Sequence, residues 1–285
     1  MTRPRGPHPW NPQPKTRAIV EQVLEVLAQY GDYLPLTIRL IFYRLVAMYG
    51  YAKTDNAYQN LITYIGRARR AGLISCDAIR DDGITEVIPL SFTGKPDFYR
   101  EVVLLARGYR RDRLEGQPVR IEIWCEAAGM VPQLVEVAHP FGITVYSCSG
   151  FDSTTFNHKA AQRASAGIPL LVLHIGDHDF EGRHIFNSAM EDVVAWTASM
   201  EGSVRFIRVA VTPQQIEEYD LPTAPPKKAG DRPTCQAEAL EPPVLAEIVK
   251  SEVMKHLDFG VYQRVLNREK AERAELIEEV ERWQA

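Results

Sequence analysis

The chain has 285 residues, 45% hydrophobic and 25% charged, the balance of an ordinary soluble globular protein with room for one large domain or two smaller ones. No apolar run approaches the length of a membrane span and no secretory leader pattern occurs, so no membrane partner is expected and the expected location is cytoplasmic. The net charge of −4 is uneven: residues 1–118 carry 17 Lys and Arg against 12 Asp and Glu, net +5, whereas residues 119–285 carry 16 against 25, net −9.

A basic front half suits a nucleic acid partner, and an acidic back half suits bound cations or an acidic surface. The four cysteines, Cys76, Cys125, Cys148 and Cys235, lie far apart in the chain, so no zinc-knuckle spacing exists and free thiols are expected. Residues 1–14 hold five prolines and read as an extended tail.

Residues 15–30 place Ile19, Val20, Val23, Leu24 and Leu27 on one helical face, ended by Gly31. Thr37 is a candidate N-cap for a second helix with Ile38, Ile41, Phe42, Leu45 and Val46 at core spacing, stopping at Gly50. A third helix, capped at Asp55, runs to Gly72 with Ala57, Leu61, Tyr64, Ile65 and Ala68 inward and Arg67, Arg69 and Arg70 in its last turn. A turn at Asp81, Asp82 and Gly83 then leads into a β-rich stretch. Three helices with a basic end on the third, then a turn and strand, are the layout of a winged helix-turn-helix over residues 15–113. A plain helical bundle is the alternative, because basic residues also favour helix C-termini. Residues 97–113 form an amphipathic helix with a basic end, in which Arg107, Arg110, Arg111 and Arg113 either face phosphates or are simply solvated.

Composition changes between Arg113 and Val119, where a domain boundary is expected. Beyond it, strands at 119–126, 142–148, 168–176 and 204–211 alternate with helices, which implies right-handed βαβ units and a parallel sheet over residues 119–285, closed by a C-terminal helical extension. Residues 221–235 read as a proline-rich loop with Lys227, Lys228 and Arg232. Two helices finish the chain, the last with Leu276, Ile277, Val280 and Trp283 as a stripe.

The chemistry concentrates at strand ends. Residues 170–176 run as an apolar strand into Asp177, His178 and Asp179, closed by Gly182, and the first strand of this half ends in Glu126. Strand carboxyl ends share one edge of a parallel sheet and are where ligands bind in open α/β folds. Three converging carboxylates repel one another, and a divalent cation relieves that cost. All-oxygen ligands suit Mg²⁺ rather than Zn²⁺. His174, within the strand, reads as a core residue. Phosphatases, receiver-type domains and simple loop caps use similar strand-end acids.

Glu126 with the Asp177-x-Asp179-x-x-Gly182 pattern resembles the Toprim signature. Residues 37–45, TIRLIFYRL, resemble the Arg-x-x-aromatic-Tyr stretch in the winged-helix domain of the topoisomerase VI A subunit and its meiotic double-strand-break relatives. The domain order is similar, and residues 149–156 resemble a weaker segment of those Toprim domains. The resemblance covers roughly residues 20–220 and implies a reduced member of that group: a winged helix followed by a Toprim domain. It implies Tyr43 as nucleophile on a DNA phosphodiester, leaving a 5′-phosphotyrosyl end, and Arg39 as the group that stabilises charge on the phosphate. Glu126, Asp177 and Asp179 would hold Mg²⁺, and Lys53, Arg67, Arg69 and Arg70 would contact DNA on the nucleoid. It further implies a homodimer in which each Tyr43 meets the partner's carboxylates, cutting both strands of duplex DNA. With no ATP-binding pattern in the chain, ATP-driven strand passage requires a separate GHKL-type ATPase subunit. Two positions depart from the family pattern: Ala127 follows Glu126 where Lys is common, and Leu40 follows Arg39 where an acid is common. A Toprim nuclease that uses water, and a non-catalytic DNA-binding module with a relict metal site, are the other readings of the same residues.

Overall fold

Amphipathic periodicity builds the first three helices of the computed structural model, which describes residues 7–80, 89–148, 154–225 and 233–283 apart from the side chains of 180–185 and 188. Helix α1 (Pro14–Gln29) buries Val20, Val23, Val26 and Leu27. The buried stripe is rotated from the expected one, leaving Leu24 40% exposed. The chain passes through the two-residue strand β1 (Leu36–Thr37) into α2 (Ile38–Tyr49), where the Thr37 side chain accepts from Leu40 N–H and Gly50 ends the helix at φ 63°. Helix α3 (Asp55–Arg70) is capped by Thr54, one residue before the expected Asp55, and buries Leu61, Ile65 and Ala68. Strand β2 (Ile79–Arg80) then pairs parallel with β1. The turn expected at 81–83 and most of the stretch expected to form the wing lie outside the described residues, as do Lys227, Lys228 and Arg232.

Helix α4 (Lys95–Arg107) carries Pro96 and Asp97 in its first turn, and the Asp97 carboxylate accepts from the Thr93 amide and hydroxyl. Beyond Val119 the expected alternation is present: β3 (Arg120–Cys125), α5 (Val131–Ala138), β4 (Thr144–Ser147), α6 (Thr154–Ala164), β5 (Leu170–Ile175), α7 (Phe180–Ser199), β6 (Val204–Ala210) and α8 (Pro213–Glu218). Helices α9 (Pro242–His256) and α10 (Phe259–Arg282) follow. No helix among the described residues is long and apolar enough to cross a membrane.

The four long strands form one parallel sheet in the order β4-β3-β5-β6. Alternate side chains of β3 go to opposite faces. Ile121, Ile123 and Cys125 join one core with α1, α2, α3, α5 and α9, whereas Trp124 joins a second core with α6 and α7. Glu122, also on the second face, is buried at 2% exposure because Arg163 and the Trp124 indole N–H both bond its carboxylate.

The first core is continuous from the N-terminal helices to the sheet and α9, so it crosses the boundary expected between Arg113 and Val119. Helix α4 packs on α10 through Val103, Ala106 and Val280. Of the basic residues at this end of α4, Arg107 and Arg110 are exposed, whereas Arg111 and Arg113 are drawn into ion pairs. Arg113 bonds Glu269, Arg111 bonds Glu115 and Glu272, and Arg273 of α10 also reaches Glu269. This clasp ties the link between the two halves to the last helix.

Candidate active site

The sheet reverses direction of growth between β3 and β5: the chain steps from β3 outward to β4, then crosses back to β5 on the other side. Such a switch point opens a crevice at the carboxyl ends of the two strands. Glu126 follows β3 and Asp177 follows β5, so both carboxylates lie at the crevice. Glu126 Oε2 accepts the Asp177 backbone N–H at 3.2 Å. Gly176 makes this approach possible, because a Cβ there would stand 2.6 Å from Glu126 Oε2 and 2.8 Å from His174 Cε1. Arg208 of β6 fixes the loop from the far side, donating to the carbonyls of Gly176 (2.9 Å) and Asp177 (2.5 Å).

A strap formed by residues 233–241 crosses this edge. Cys235 and His178 exchange backbone hydrogen bonds at 2.7 and 3.1 Å, and Ala237 N–H donates to Asp177 Oδ1 at 2.9 Å. Helix α2 grips the other side of the strap. The Tyr43 hydroxyl donates to Gln236 Oε1, and the Arg44 guanidinium donates to the Ala239 carbonyl and pairs with Glu241 at 3.0 Å. Residues 40–45 are therefore all buried, which no single amphipathic stripe produces. Tyr43 is only 4% exposed, not a surface aromatic.

Between α2, the N-terminus of α3, the β5 loop and the strap lies a cleft of about 540 Å³. Arg39, Tyr43, Lys53, Asp177 and Asp179 all line it, with Phe42, Tyr58 and Gln236. Five residues singled out from the sequence thus meet in one cavity, and they do so within one chain. The Lys53 ammonium sits 5.4 Å from the Tyr43 ring centroid and donates to the Pro222 carbonyl, and Arg39 lies over Tyr58. Glu126 is one hydrogen bond behind, against Asp177. Arg67, Arg69 and Arg70 are elsewhere: twelve to fifteen residues along α3 puts them about 20 Å from the cleft. Arg69 there donates to the Cys76 carbonyl at 3.3 Å.

The electrostatics are those of a desolvated acid cluster with cations on one flank. Burial, then Asp177 and Asp179, push the Glu126 pKa up. Burial and Asp179 raise Asp177, although the Ala237 N–H opposes them. Glu238 on the strap joins the cluster: burial and Asp177 push it up to about 7, with Arg39 opposing and Glu126 adding. Burial works against the Arg39 charge, but Glu238 and the neighbouring tyrosines more than offset it and hold its pKa up. Tyr43 is raised by burial and then by Glu238, with Arg39 opposing. Burial lowers Lys53.

The oxygen donors Glu126, Asp177 and Asp179 have the chemistry that suits Mg²⁺, and their mutual repulsion favours a cation. Among the described residues, however, no group of three or more His, Cys, Asp or Glu is gathered closely enough to hold a metal ion. One Asp177 oxygen is taken by the Ala237 N–H and one Glu126 oxygen by the Asp177 N–H. His174 lies fully buried, stacked on Phe186, in the core position expected for it.

Glu238, Gln236, Arg44 and Arg208 are site residues that periodicity does not reveal. The one available signal for Glu238 is its setting, an acid between two alanines and before Leu240. No protein-family model, curated protein or solved structure matches the chain.

Proposed function

We propose that the chain is a Mg²⁺-dependent DNA transesterase of the winged-helix and Toprim type, with Tyr43 as nucleophile. The observation that carries this reading is the cleft in which Tyr43, Arg39 and Lys53 face Asp177 and Asp179. A tyrosine, two cations and two carboxylates around one cavity are the parts a phosphodiester exchange needs.

Holding Mg²⁺ would require Glu126, Asp177 and Asp179 to draw closer together than they stand here, and the ion would then supply positive charge to the phosphate and its surroundings. The chain's own residues do the rest. Arg39, a permanent cation beside Glu238, balances the phosphate oxygens as negative charge builds. Lys53 adds a second cation beside the Tyr43 ring. Gln236 orients the Tyr43 hydroxyl by accepting its hydrogen bond. Arg67, Arg69 and Arg70, about 20 Å along α3, would hold the DNA backbone and set its register without reading sequence.

A nuclease that uses water on the same carboxylates is the second reading. It is favoured by the raised Tyr43 pKa, which makes the phenolate harder to form. One experiment separates the two. The protein is incubated with DNA and Mg²⁺ or Mn²⁺, stopped with detergent, and assayed for covalent protein–DNA adducts. The wild type is expected to form them, and Tyr43→Phe and Asp177→Asn to form none. Adducts that persist in Tyr43→Phe overturn the nucleophile assignment. Cleavage by Tyr43→Phe without adducts establishes the water-using nuclease.

A further inference from the structure

The segment before α1 is docked on the body of the protein. Carbonyls in the last turn of a helix have no partner within it. At the end of α3 the Arg70 carbonyl takes the His8 backbone N–H at 2.9 Å. Trp10 packs partly buried against the first core, and the Arg17 guanidinium donates to Asn11 Oδ1 at 2.6 Å. These contacts fix residues 8–11 between the start of α1 and the end of α3.

Both of the ends brought together are basic. Residues 1–20 hold Arg3, Arg5, Lys15 and Arg17 and no acid. Residues 59–76 hold three arginines, the cluster at the end of α3, and again no acid. Lys15, Arg17 and Arg67 are exposed. The helix dipole alone favours arginines at the C-terminus of α3. It disfavours cations at the N-terminus of α1, yet Lys15 and Arg17 stand there with no acid in the first turn. An anionic partner lying across both helix ends accounts for the two sets together. Arg3 and Arg5 are outside the described residues, but the chain bounds their reach. At roughly 3.5 Å per residue, Arg5 lies within about 11 Å of His8 and Arg3 within about 18 Å.

We infer that residues 1–17 form a basic arm that grips the DNA backbone beside the end of α3, with Arg3 and Arg5 adding phosphate contacts to those of the α3 arginines. This rests on the reading that the N-terminal half binds DNA, and not on the chemistry of Tyr43. The contacts are to phosphates, so the arm adds affinity and register in any sequence. Pro4 and Pro7 have φ fixed by their rings, so less freedom is lost when the arm is immobilised on a duplex. The end of α3 is about 20 Å from the cleft, so the arm lengthens the footprint on the duplex and leaves the reacting phosphate to the cleft.

The salt dependence of binding tests this. The affinity of the full chain for a short labelled duplex is measured by fluorescence anisotropy between about 50 and 200 mM salt. Each phosphate contact contributes about 0.9 to the slope of log affinity against log salt, so Arg3→Ala with Arg5→Ala is expected to reduce the slope by about 1.8. An unchanged slope overturns the inference. His8→Pro keeps both arginines and removes the N–H that bonds Arg70, and it is expected to weaken binding severalfold because the arm is no longer positioned. Unchanged affinity in that variant overturns the docked arm. Circular dichroism verifies that each variant is folded. Absence of salt-sensitive DNA binding by the wild type overturns the DNA reading and this inference with it. A wild type that binds, loses slope with the two arginines and forms no adducts supports the arm and overturns the Tyr43 assignment alone.

Discussion

Glu238 is 5% exposed and lies among Asp177, Glu126 and Arg39, and its pKa is pushed from an ordinary 4.5 to about 7. The folded state then binds a proton that the unfolded chain has already released between those two values. Stability from this group is complete below pH 4.5 and is lost as pH rises through 7. A displacement of this size is worth about 3 kcal/mol over the whole window, most of it lost between pH 5 and pH 8. The perturbation is Glu238→Gln, which keeps the shape of the protonated acid and removes the titration. Urea unfolding at pH 5 and pH 8, with chelator present so that no cation compensates, gives the two free energies for each protein. Glu126 and Asp177 contribute in the same direction in both proteins, so the difference reads the Glu238 titration together with its repulsion of these two neighbours. The wild type is expected to lose about 2–3 kcal/mol relative to the variant on going from pH 5 to pH 8. Parallel curves refute the reasoning, because they mean that Glu238 titrates at an ordinary value and is not part of a desolvated acid cluster.

Two further outcomes follow from packing. Gly176→Ala puts a methyl group 2.6 Å from Glu126 Oε2 beneath a loop already bonded by Arg208, so it is expected to destabilise by about 1–3 kcal/mol in denaturant unfolding and to abolish adduct formation; an unchanged midpoint contradicts the close approach. Glu269→Ala leaves Arg113 and Arg273 facing each other without their shared carboxylate and is expected to cost about 3–5 kcal/mol by the same measurement. The Arg113 hydrogen bonds hold the Glu269 pKa below 4.5, so its contribution is present above that pH and disappears as pH falls through the lower folded value. A cost that does not shrink in acid contradicts the clasp.

The sheet was legible because βαβ alternation is written in local pattern: short apolar runs such as 170–175 against amphipathic stretches between them. Carboxylates that close neighbouring strands of a parallel sheet must share an edge, so Glu126 and Asp177 followed without any knowledge of packing. Arg39 and Tyr43 were legible only through the resemblance of residues 37–45 to the Arg-x-x-aromatic-Tyr stretch; helix geometry adds that residues four apart share a face. The strap was not, because residues 233–241 have no period and take their shape from contacts to Asp177, His178 and Arg44, all distant in sequence. The burial of Tyr43 depends on that strap, and so was equally hidden. Arg111 and Arg113 misled for the same reason: their partners, Glu269 and Glu272, lie more than 150 residues away.

The strap also bears on how Tyr43 can lose its proton. Gln236 accepts the hydroxyl's hydrogen bond, but a neutral amide oxygen is too weak a base to take the proton. Burial and the surrounding acids raise the Tyr43 pKa further, so the hydroxyl in this closed cleft is held in place and kept protonated. The group nearby whose affinity for a proton matches neutral pH is Glu238, two residues along the strap from Gln236 and facing Arg39. Cationic charge entering near Asp177 lowers the proton affinity of Glu238 and Tyr43 together, since Asp177 raises both. The same segment therefore holds the hydroxyl and carries a neutral-range acid. Under the proposed function, the strap couples charge at the strand ends to the state of the nucleophile.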